Sequence, residues 1–329
     1  MKFKAAYYKK LEGKKVRCDL CPHNCIIQPD QVGICSVRQN LDGELYSLNY
    51  SEITSMALDP IEKKPLFHFF PGSNILSIGT FGCNFKCPFC QNWQISQSRP
   101  SSKTTAPKEL IEIAKSEKSF GIAYTYSEPN VWFEYVLESS KLAHENNIKN
   151  IMVTNGFINP EPFEELGKYI DAMNIDLKGY SDEFYKEFPR GKLQPVLDTI
   201  SAAFKRGIHI EVTNLIIPGL NDSKDNLTEL IDFIASLSKD IPLHFSRYFP
   251  HYKMKKDPTP EKTLFLAKEI ADKKLKYVYL GNIWSNSGSE TICPECGALV
   301  ISRKGYYVEL KDFKNGHCGN CGYKLNFVV

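Results

Sequence analysis

The sequence predicts an α/β fold, in which a partial or full (β/α) barrel follows a small N-terminal cysteine lobe and precedes a C-terminal four-cysteine appendage. Between residues 75 and 280, seven short apolar segments alternate with stretches of helical pattern, as they do in βαβ units around a parallel sheet. All eleven cysteines belong to three groups, one inside this region and one on each side of it. These observations divide the chain into residues 1–72, 73–286 and 287–329.

The predicted strands are short and mostly apolar, as expected where both faces of a sheet are covered. They comprise residues 75–79, 121–126, 151–154, 173–177, 208–217, 243–248 and 277–280. The helices expected between them begin at Pro107 and cover roughly residues 130–145, 160–170, 195–206, 223–237 and 260–273. Active sites of such barrels lie at the C-terminal ends of the strands, so polar residues at those ends are the candidate ligands.

The regions on either side of the predicted barrel differ from it in pattern. Residues 1–72 contain turn dipeptides such as Asp42-Gly43 and no long periodic pattern, so we expect a loop-rich lobe that a metal stabilises. The stretch Asn286-Ser287-Gly288-Ser289 is a predicted linker to the last part of the chain.

Composition and charge narrow the possible functions. The chain has 329 residues, of which 42% are apolar and 24% charged, and its formal net charge is +3. This balance is ordinary for a globular protein and does not favour nucleic-acid binding. No apolar stretch follows the basic N-terminus, and no apolar run approaches the roughly 20 residues needed to cross a bilayer. We therefore expect a cytoplasmic protein without a membrane partner.

The cysteines are expected to bind metals rather than to form disulfides. Their number is odd, and without an export signal the chain is expected in a reducing compartment, where disulfides are rare. Because every cysteine belongs to a group, metal binding accounts for all of them.

The central group forms a short loop directly after the first predicted barrel strand. Cys83, Cys87 and Cys90 have the spacing Cys-x3-Cys-x2-Cys. Three thiolates can bind three irons of a cubane cluster and leave the fourth without a protein ligand, and an open position is typical of catalytic metal sites. The alternatives are a zinc site completed by a ligand from elsewhere, or three unrelated thiols. The flanking glycines and aromatic residues favour the cluster.

This spacing resembles the signature of the radical S-adenosylmethionine (SAM) superfamily. The resemblance implies a [4Fe–4S] cluster whose open iron is chelated by the amino and carboxylate groups of SAM. It also implies cleavage of SAM into methionine and a 5′-deoxyadenosyl radical, which abstracts hydrogen from a substrate.

Polar residues at three further strand ends support the resemblance. Glu128 lies in the segment TYSEP, which is similar to the family's Gly-Gly-Glu-Pro motif with both glycines replaced, and this implies a contact with the SAM ammonium. Asn155, Asp176 and Lys178 lie in segments that resemble pyruvate formate-lyase activating enzymes. That resemblance implies that Asn155 contacts the ribose or methionine part of SAM, that Lys178 faces the SAM carboxylate, and that Asp176 positions a ribose hydroxyl or Lys178. Each residue alone could be a solvated loop residue, but together they are better explained as one site.

The last two strand ends carry weaker signals. Asn214 resembles a residue of the same family that could contact SAM, while Asn221 and Asp222 are expected to cap the next helix. Arg247 and His251 could meet a substrate, although a lone histidine in such a position is more often structural.

The C-terminal group predicts a zinc ribbon or a rubredoxin-like site. It consists of two Cys-x2-Cys knuckles, each followed by glycine, and residues 298–301 and 306–310 between them suit a hairpin around Gly305. The four ligands are Cys293, Cys296, Cys318 and Cys321. Four thiolates fill a tetrahedral site, but the spacing does not separate zinc from a single iron. A structural or substrate-docking role is expected.

The N-terminal group contains Cys18, Cys21, Cys25 and Cys35, with His23 between them. Four ligands suit either zinc or a second cubane cluster. The small, loop-rich lobe slightly favours zinc. His23 could replace a ligand, although we expect it to be solvated.

The whole arrangement resembles the radical SAM family of the AmmeMemoRadiSam system over nearly the full chain. The resemblance rests on the segments DPIEKKPLFHFFPG, GTFGC and FCQNW, with a cysteine lobe before them and a ribbon after YLGN. It implies AMMECR-type and Memo-type partner proteins and an electron donor such as flavodoxin or ferredoxin, but no particular substrate.

Three functions remain open at this point. The leading hypothesis is an enzyme that abstracts hydrogen from a small molecule or a peptide. The second is an activase that installs a glycyl radical on a partner enzyme. The third is a non-catalytic iron–sulfur electron carrier or scaffold, which would not need polar residues such as Glu128 and Lys178 at the strand ends.

Overall fold

The structure is a computed structural model that describes residues 3–283 and 288–329. Asn286 and Ser287 of the predicted linker lie outside the described residues. Within the two described ranges, no helix combines the length and the apolar character needed to span a bilayer.

The N-terminal region consists of short antiparallel strands. They are β1 (Phe3–Lys4), β2 (Tyr8–Lys10), β3 (Val16–Cys18), β4 (Ile26–Ile27), β5 (Arg38–Leu41), β6 (Glu44–Ser47) and β7 (Glu52–Ile53). They form two three-stranded sheets with the orders β1-β6-β5 and β2-β3-β4. A 3-10 turn over Glu12–Lys14 links the second and third strands.

An eight-stranded sheet forms the centre of the molecule. The next strands are β8 (Ser55–Pro60), β9 (Asn74–Gly79), β10 (Lys103–Thr104), β11 (Gly121–Tyr124), β12 (Lys149–Thr154), β13 (Ala172–Asp176), β14 (His209–Ile216), β15 (Leu243–Arg247) and β16 (Val278–Gly281). The sheet order is β8-β9-β11-β12-β13-β14-β15-β16, while β10 pairs with β7.

The sheet is parallel except at one edge, where β8 runs antiparallel to β9. All seven predicted barrel strands are confirmed, with ends within two residues of those expected. In the described part of the chain β8 and β16 do not pair with each other, so the sheet is open and forms a partial barrel. The sequence pattern does not indicate β8, because three of its six residues, from Met56 to Leu58, are exposed at the sheet edge.

Helices connect the parallel strands. They are α1 (Trp93–Ser96), α2 (Pro107–Ser116), α3 (Phe133–Glu145), α4 (Pro160–Leu166), α5 (Asp182–Glu187), α6 (Gln194–Arg206), α7 (Lys224–Leu237) and α8 (Glu261–Asp272), with 3-10 turns over Ile61–Lys63 and Pro129–Trp132. The six predicted helices are confirmed, whereas the short α1 and α5 were not expected. The side chain of Ser223, and not Asn221 or Asp222 as expected, caps α7 by accepting a hydrogen bond from the N–H of Asn226.

Residues 61–70, which we call the floor segment, close the N-terminal end of the sheet. Ile61, Leu66 and Phe69 belong to one buried cluster with Ala123 and Ile151 of the sheet. The buried Glu211 of β14 accepts hydrogen bonds from the backbone N–H groups at positions 67 and 68, at 3.0 and 2.7 Å. Burial would raise the pKa of Glu211, but hydrogen bonds from the histidines at 209 and 244 hold it well below its usual value.

The C-terminal ribbon packs against the floor segment. Its strands are β17 (Thr291–Ile292), β18 (Leu299–Lys304), β19 (Tyr307–Leu310), β20 (Phe313–Lys314) and β21 (His317–Cys318). The predicted hairpin is confirmed, and Gly305 turns it with a φ of 59°. The buried Arg303 donates to the carbonyl of Phe67 at 2.8 Å, and Val328 pairs with Phe69. The ribbon therefore lies at the end of the sheet opposite the central cysteine loop.

Candidate functional site

The central cysteine loop lies at the C-terminal end of β9. Cys87 is buried, whereas Cys83 and Cys90 are half-buried. The N–H of Phe85 lies 3.3 Å from the Cys83 sulfur, and the Cys90 sulfur lies 3.2 Å from the hydroxyl of Ser96 in α1. The cysteine loop thus begins at the end of β9 and contacts α1 at its other end.

Gly82 fixes this loop against the N-terminal region. Its φ is +94°, a conformation that side chains rarely adopt. A Cβ atom at this position would lie 2.5 Å from Cγ1 of Val37 and 2.9 Å from the carbonyl oxygen of Cys35. Only glycine permits this close approach, which brings Cys35 of the N-terminal cysteine group next to the central cysteine loop.

Glu128 lies just beyond β11, and its carboxylate binds the neighbouring strand ends. It accepts hydrogen bonds from the N–H groups of Asn130 and Asn155, at 3.0 and 2.8 Å, and from the hydroxyl of Thr154 at 2.6 Å. Burial raises the pKa of Glu128 to about 7, although these hydrogen bonds oppose the rise. A carboxylate offers about four acceptor positions, so one is left for a ligand.

Asn155 links the end of β12 to the cysteine loop. Its side-chain N–H donates to Oδ1 of Asn84 at 2.8 Å, and the same nitrogen lies 3.8 Å from the Cys83 sulfur. Its Oδ1 accepts from the N–H of Phe157 at 2.9 Å. The side chain predicted to contact SAM is therefore held beside the first cysteine.

Asp176 and Lys178 form an ion pair at the end of β13. The Nζ atom of Lys178 lies 2.6 Å from the Asp176 carboxylate, and the backbone N–H of Lys178 donates to the hydroxyl of Tyr185 at 3.1 Å. Burial lowers the pKa of Lys178, but the charges of Asp176 and Cys87 outweigh burial and raise it above its usual value. Lys178 is thus a cation close to the cysteine loop.

Four buried polar atoms at or near the C-terminal ends of β9, β11 and β14 have no hydrogen-bond partner among the described residues. They are Oγ1 of Thr80, Oγ of Ser127, Oδ1 of Asn130 and Oδ1 of Asn214. Leaving a buried polar group unpaired costs about 1–3 kcal/mol, so several at one end of a sheet indicate a surface that binds a ligand. Three thiols with this spacing and these four atoms fit a cubane cluster and a polar ligand beside it.

Sequence reasoning predicted only one of these four residues, Asn214, whose Nδ2 donates to the carbonyl of Leu177 at 2.7 Å. Thr80, Ser127 and Asn130 were not proposed as ligands. Thr80 directly follows β9, and Ser127 and Asn130 lie in the connection after β11. Polar residues in such positions are common, and only the structure shows that these have an unpartnered atom.

The connection after β15 covers the cysteine loop. The N–H groups of Lys253 and Met254 both donate to the carbonyl of Pro88, at 2.9 and 3.0 Å, and Tyr252 stacks on Trp93 with ring centroids 5.1 Å apart. Of the two candidate substrate residues, Arg247 donates to the carbonyl of Thr259 at 2.7 Å and pairs with Glu261, while His251 is exposed. Arg247 therefore orders this connection.

The ribbon cysteines form a tight group, as predicted. All four sulfurs lie within 4.8 Å of one another, and Cys293–Cys321 and Cys296–Cys318 are each 3.7 Å apart. A tetrahedral site with a metal–sulfur distance of about 2.3 Å places its sulfurs about 3.8 Å apart. A hydrogen bond from Asn320 is the main cause that lowers the pKa of Cys296 to about 6, which favours the thiolate that a metal needs.

The N-terminal cysteines line a single pocket. Cys18, Cys21 and Cys35 are buried and Cys25 is half-buried. His23, which also borders this pocket, does not point into solvent as expected: its Nε2–H donates to the carbonyl of Asn84 at 2.8 Å.

Comparison with known proteins agrees with this site. Residues 77–234 match the radical SAM superfamily, and this chain belongs to that superfamily. Its members are enzymes that use a [4Fe–4S] cluster and SAM. The predicted membership of the superfamily is therefore confirmed.

The chain is similar to two curated proteins in sequence and to one solved structure in fold. An uncharacterized protein of Methanocaldococcus jannaschii, MJ0808, is 45% identical over 333 residues, covering 99% of both chains. The pyruvate formate-lyase-activating enzyme of Clostridium pasteurianum is 24% identical over 161 residues, covering 47% of this chain and 67% of that enzyme. The solved structure of Streptococcus suis SuiB bound to S-adenosylmethionine is 18% identical with a TM-score of 0.51, covering 63% of this chain and 52% of SuiB. That likeness shows the fold.

Proposed function

We propose that this protein holds a [4Fe–4S] cluster through Cys83, Cys87 and Cys90, cleaves SAM beside it, and abstracts hydrogen from a small molecule or a peptide. The observation that carries the proposal is the set of unpartnered buried atoms on Thr80, Ser127, Asn130 and Asn214. They lie at or near the C-terminal ends of β9, β11 and β14, at the same end of the sheet as the cysteine loop, where a polar ligand would satisfy them.

The charged residues of the site suit the two ends of an amino acid. Glu128 has one acceptor position left beside three that are used, and this position can receive an ammonium hydrogen. Lys178 carries a half-buried positive charge that Asp176 orients, and this charge can receive a carboxylate. Asn155 holds the cysteine loop next to these groups through Asn84.

Other residues keep water out of the site. The connection that includes Tyr252 and Met254 lies over the loop through the carbonyl of Pro88, and the stacked rings of Trp93 and Tyr252 extend this cover. When bound, the reduced cluster supplies the electron that splits SAM into methionine and a 5′-deoxyadenosyl radical. A covered site protects such a radical from side reactions.

A second candidate function is the activation of a glycyl-radical enzyme. The observation that favours it is the similarity to the Clostridium pasteurianum activating enzyme over 161 residues. That activity does not account for the ribbon and the N-terminal cysteines, so we rank it second. An electron carrier ranks third, because it has no use for a ligand surface at the strand ends.

The cellular setting belongs to the same proposal. Eleven thiols without disulfides suit a reducing cytoplasm, and an electron donor such as flavodoxin or ferredoxin would reduce the loop cluster. Membership of the AmmeMemoRadiSam system, with AMMECR-type and Memo-type partner proteins, rests on the segments shared over nearly the full chain.

Zinc in the ribbon is also part of the proposal. Two sulfur–sulfur distances of 3.7 Å, with all four sulfurs within 4.8 Å of one another, support a single metal ion, and zinc is the usual occupant of such a four-thiolate site. Because the ribbon contacts the floor segment through Arg303, we assign it a structural role.

The test is SAM cleavage by the purified, anaerobically reconstituted and reduced protein. It should form 5′-deoxyadenosine slowly without its final substrate, and Cys87→Ala should abolish this, since the cluster would lose one of three ligands. Cleavage that persists in Cys87→Ala would overturn the proposal. Mixing with a glycyl-radical enzyme encoded in the same genome separates the second candidate, because only an activase would generate the glycyl radical signal in electron paramagnetic resonance.

A further inference from the structure

The four N-terminal cysteines differ in geometry from the four ribbon cysteines. The four ribbon sulfurs all lie within 4.8 Å of one another, whereas Cys18, Cys21, Cys25 and Cys35 line one pocket. In the part of the chain that the structure describes, the ribbon is the one group whose ligand atoms all lie within 4.8 Å of one another. The N-terminal sulfurs are therefore spread more widely, as are those of the central loop.

This spread distinguishes two kinds of metal site. A single zinc ion binds all four sulfurs itself and draws them to about 3.8 Å from one another. In a cubane cluster each thiolate binds a different iron, so the sulfurs lie wider apart by the added distance between irons. The N-terminal set thus shares its wide spacing with the cysteine loop that belongs to the cluster-binding superfamily.

A buried cation with a free donor borders the same pocket. Arg38 is 1% exposed, and its two Nη atoms donate to the Glu134 carboxylate at 2.7 and 3.0 Å. Its third donor, Nε–H, has no partner within residues 3–283 and 288–329. A four-thiolate metal site carries negative charge, and a sulfur of such a site can accept this hydrogen bond.

The pocket adjoins the central cysteine loop. The carbonyl of Cys35 faces Gly82, where a Cβ atom would lie 2.9 Å away, and Gly82 directly precedes Cys83. On another side, His23 donates to the carbonyl of Asn84 at 2.8 Å. Both residues that flank Cys83 are therefore in contact with the N-terminal cysteine segment.

From these observations we infer that Cys18, Cys21, Cys25 and Cys35 hold a second [4Fe–4S] cluster that adjoins the first, in place of the zinc that the sequence slightly favoured. Four ligands leave no iron open, so this cluster binds neither SAM nor substrate. The inference concerns metal content and does not depend on SAM cleavage.

The test uses the full chain with the central loop disabled as Cys83→Ala, Cys87→Ala and Cys90→Ala. After anaerobic reconstitution, this variant should retain about four iron and four sulfide ions, with about one zinc ion. Two zinc ions without iron, or four N-terminal thiols that are readily alkylated in the folded protein, would overturn the inference. Adding Cys21→Ala and Cys25→Ala to the variant should remove the iron and leave the ribbon zinc.

The unmodified chain provides an independent measurement should the variant fold poorly. It should contain about eight iron ions and one zinc ion, against about four and two if the N-terminal site holds zinc. After full reduction, two paramagnetic clusters in adjoining segments should broaden each other's resonance, and the loop-disabled variant should lose this broadening. A spectrum that is the unbroadened sum of two separate signals would contradict their adjacency.

Discussion

Asn155 and Glu128 are joined across the ends of two neighbouring strands, because the backbone N–H of Asn155 donates to the Glu128 carboxylate at 2.8 Å. The hydroxyl of Thr154 holds the other carboxylate oxygen at 2.6 Å. The orientation of the carboxylate is therefore set before any ligand arrives, and the ligand does not have to order it.

Replacing Glu128 by Gln should weaken SAM binding by about 1.5–3 kcal/mol, the scale of a hydrogen bond to a charged group. The glutamine keeps the size of the side chain but removes the charge that meets an ammonium. Isothermal titration of SAM into the reconstituted protein under anaerobic conditions measures the change, and the exposed Glu145→Gln is the matched control. The cluster absorption should not change, and an unaltered SAM affinity would contradict the assignment of Glu128.

Replacing Thr80 by Val should have opposite effects on binding and on folding. The free hydroxyl of Thr80 is buried without a partner, so removing it should leave the free energy of unfolding unchanged or raise it slightly. SAM affinity should fall by about 1 kcal/mol if that hydroxyl bonds to the ligand. Thr105→Val removes another buried unpartnered hydroxyl, in the connection before α2, and should not alter SAM affinity. Equal effects of the two substitutions on binding would refute a ligand surface at Thr80.

Replacing Gly82 by Ala should destabilise the protein and reduce its iron content together. The added methyl group collides with Val37 and with the carbonyl of Cys35, and overpacking of this kind typically costs about 1–3 kcal/mol. Gly207→Ala is the control, since Gly207 also has a positive φ, +79°, but no atom within 4 Å of the added group. Thermal unfolding and iron analysis measure both effects. Val37→Ala should restore part of the loss, whereas equal losses at the two glycines would exclude the collision.

The stability of the protein should fall as the pH drops below about 6.5 because of His68. Its Nδ1–H donates to the carbonyl of Asn326 at 2.7 Å and its Nε2 accepts from Tyr279 at 2.6 Å. Burial lowers its pKa from 6.5 to about 3, despite the opposing charge of Glu211. Between these values the unfolded chain binds a proton that the folded chain does not, so stability is lost as the pH falls.

Thermal unfolding at pH 7.5 and pH 5.5 measures this dependence. In His68→Gln the side chain has no proton to bind, and the decrease between the two pH values should be smaller than in the unmodified chain. An identical decrease in both proteins would assign the pH dependence to other groups.

Replacing Arg38 by Gln should lower the reduction potential of the cluster that we propose at the N-terminal cysteines. The substitution removes a buried positive charge and the free Nε–H that borders the pocket, and both of these groups stabilise the more negative reduced state. A redox titration followed by electron paramagnetic resonance, in the loop-disabled variant, reports this cluster alone. A potential that does not move would mean that Arg38 faces away from the cluster.

The sequence predicted the barrel strands well because their signals are local. Runs such as residues 151–154 are apolar and bounded by polar or glycine residues, and they become strands covered on both faces. The strand β8 was not recognised, since its outward residues at the sheet edge are exposed and give no apolar run. The close grouping of the four ribbon cysteines was likewise predictable, because two Cys-x2-Cys pairs at such spacing usually share one metal site.

What the sequence could not predict is contact between distant segments. Gly82 and Cys35 are 47 positions apart in the sequence, and only the fold brings them together. The carboxylate of Glu128 was predicted as a ligand, but its three hydrogen bonds to strand ends were not. A buried hydroxyl without a hydrogen-bond partner, such as that of Thr80, can be recognised only when all its neighbours in the fold are known.

The pairing of the floor segment with residues near position 328 has a consequence for synthesis of the protein on the ribosome. Phe69 pairs with Val328, and His68 bonds to the carbonyl of Asn326. All strands of the large sheet leave the ribosome before those residues do. Until residues 326–328 have been made, one end of the nascent barrel is therefore incomplete, and the aromatic residues of the floor segment are partly exposed. A chain arrested before position 326 should therefore bind chaperones that recognise exposed aromatic residues, and release them once the ribbon has been made.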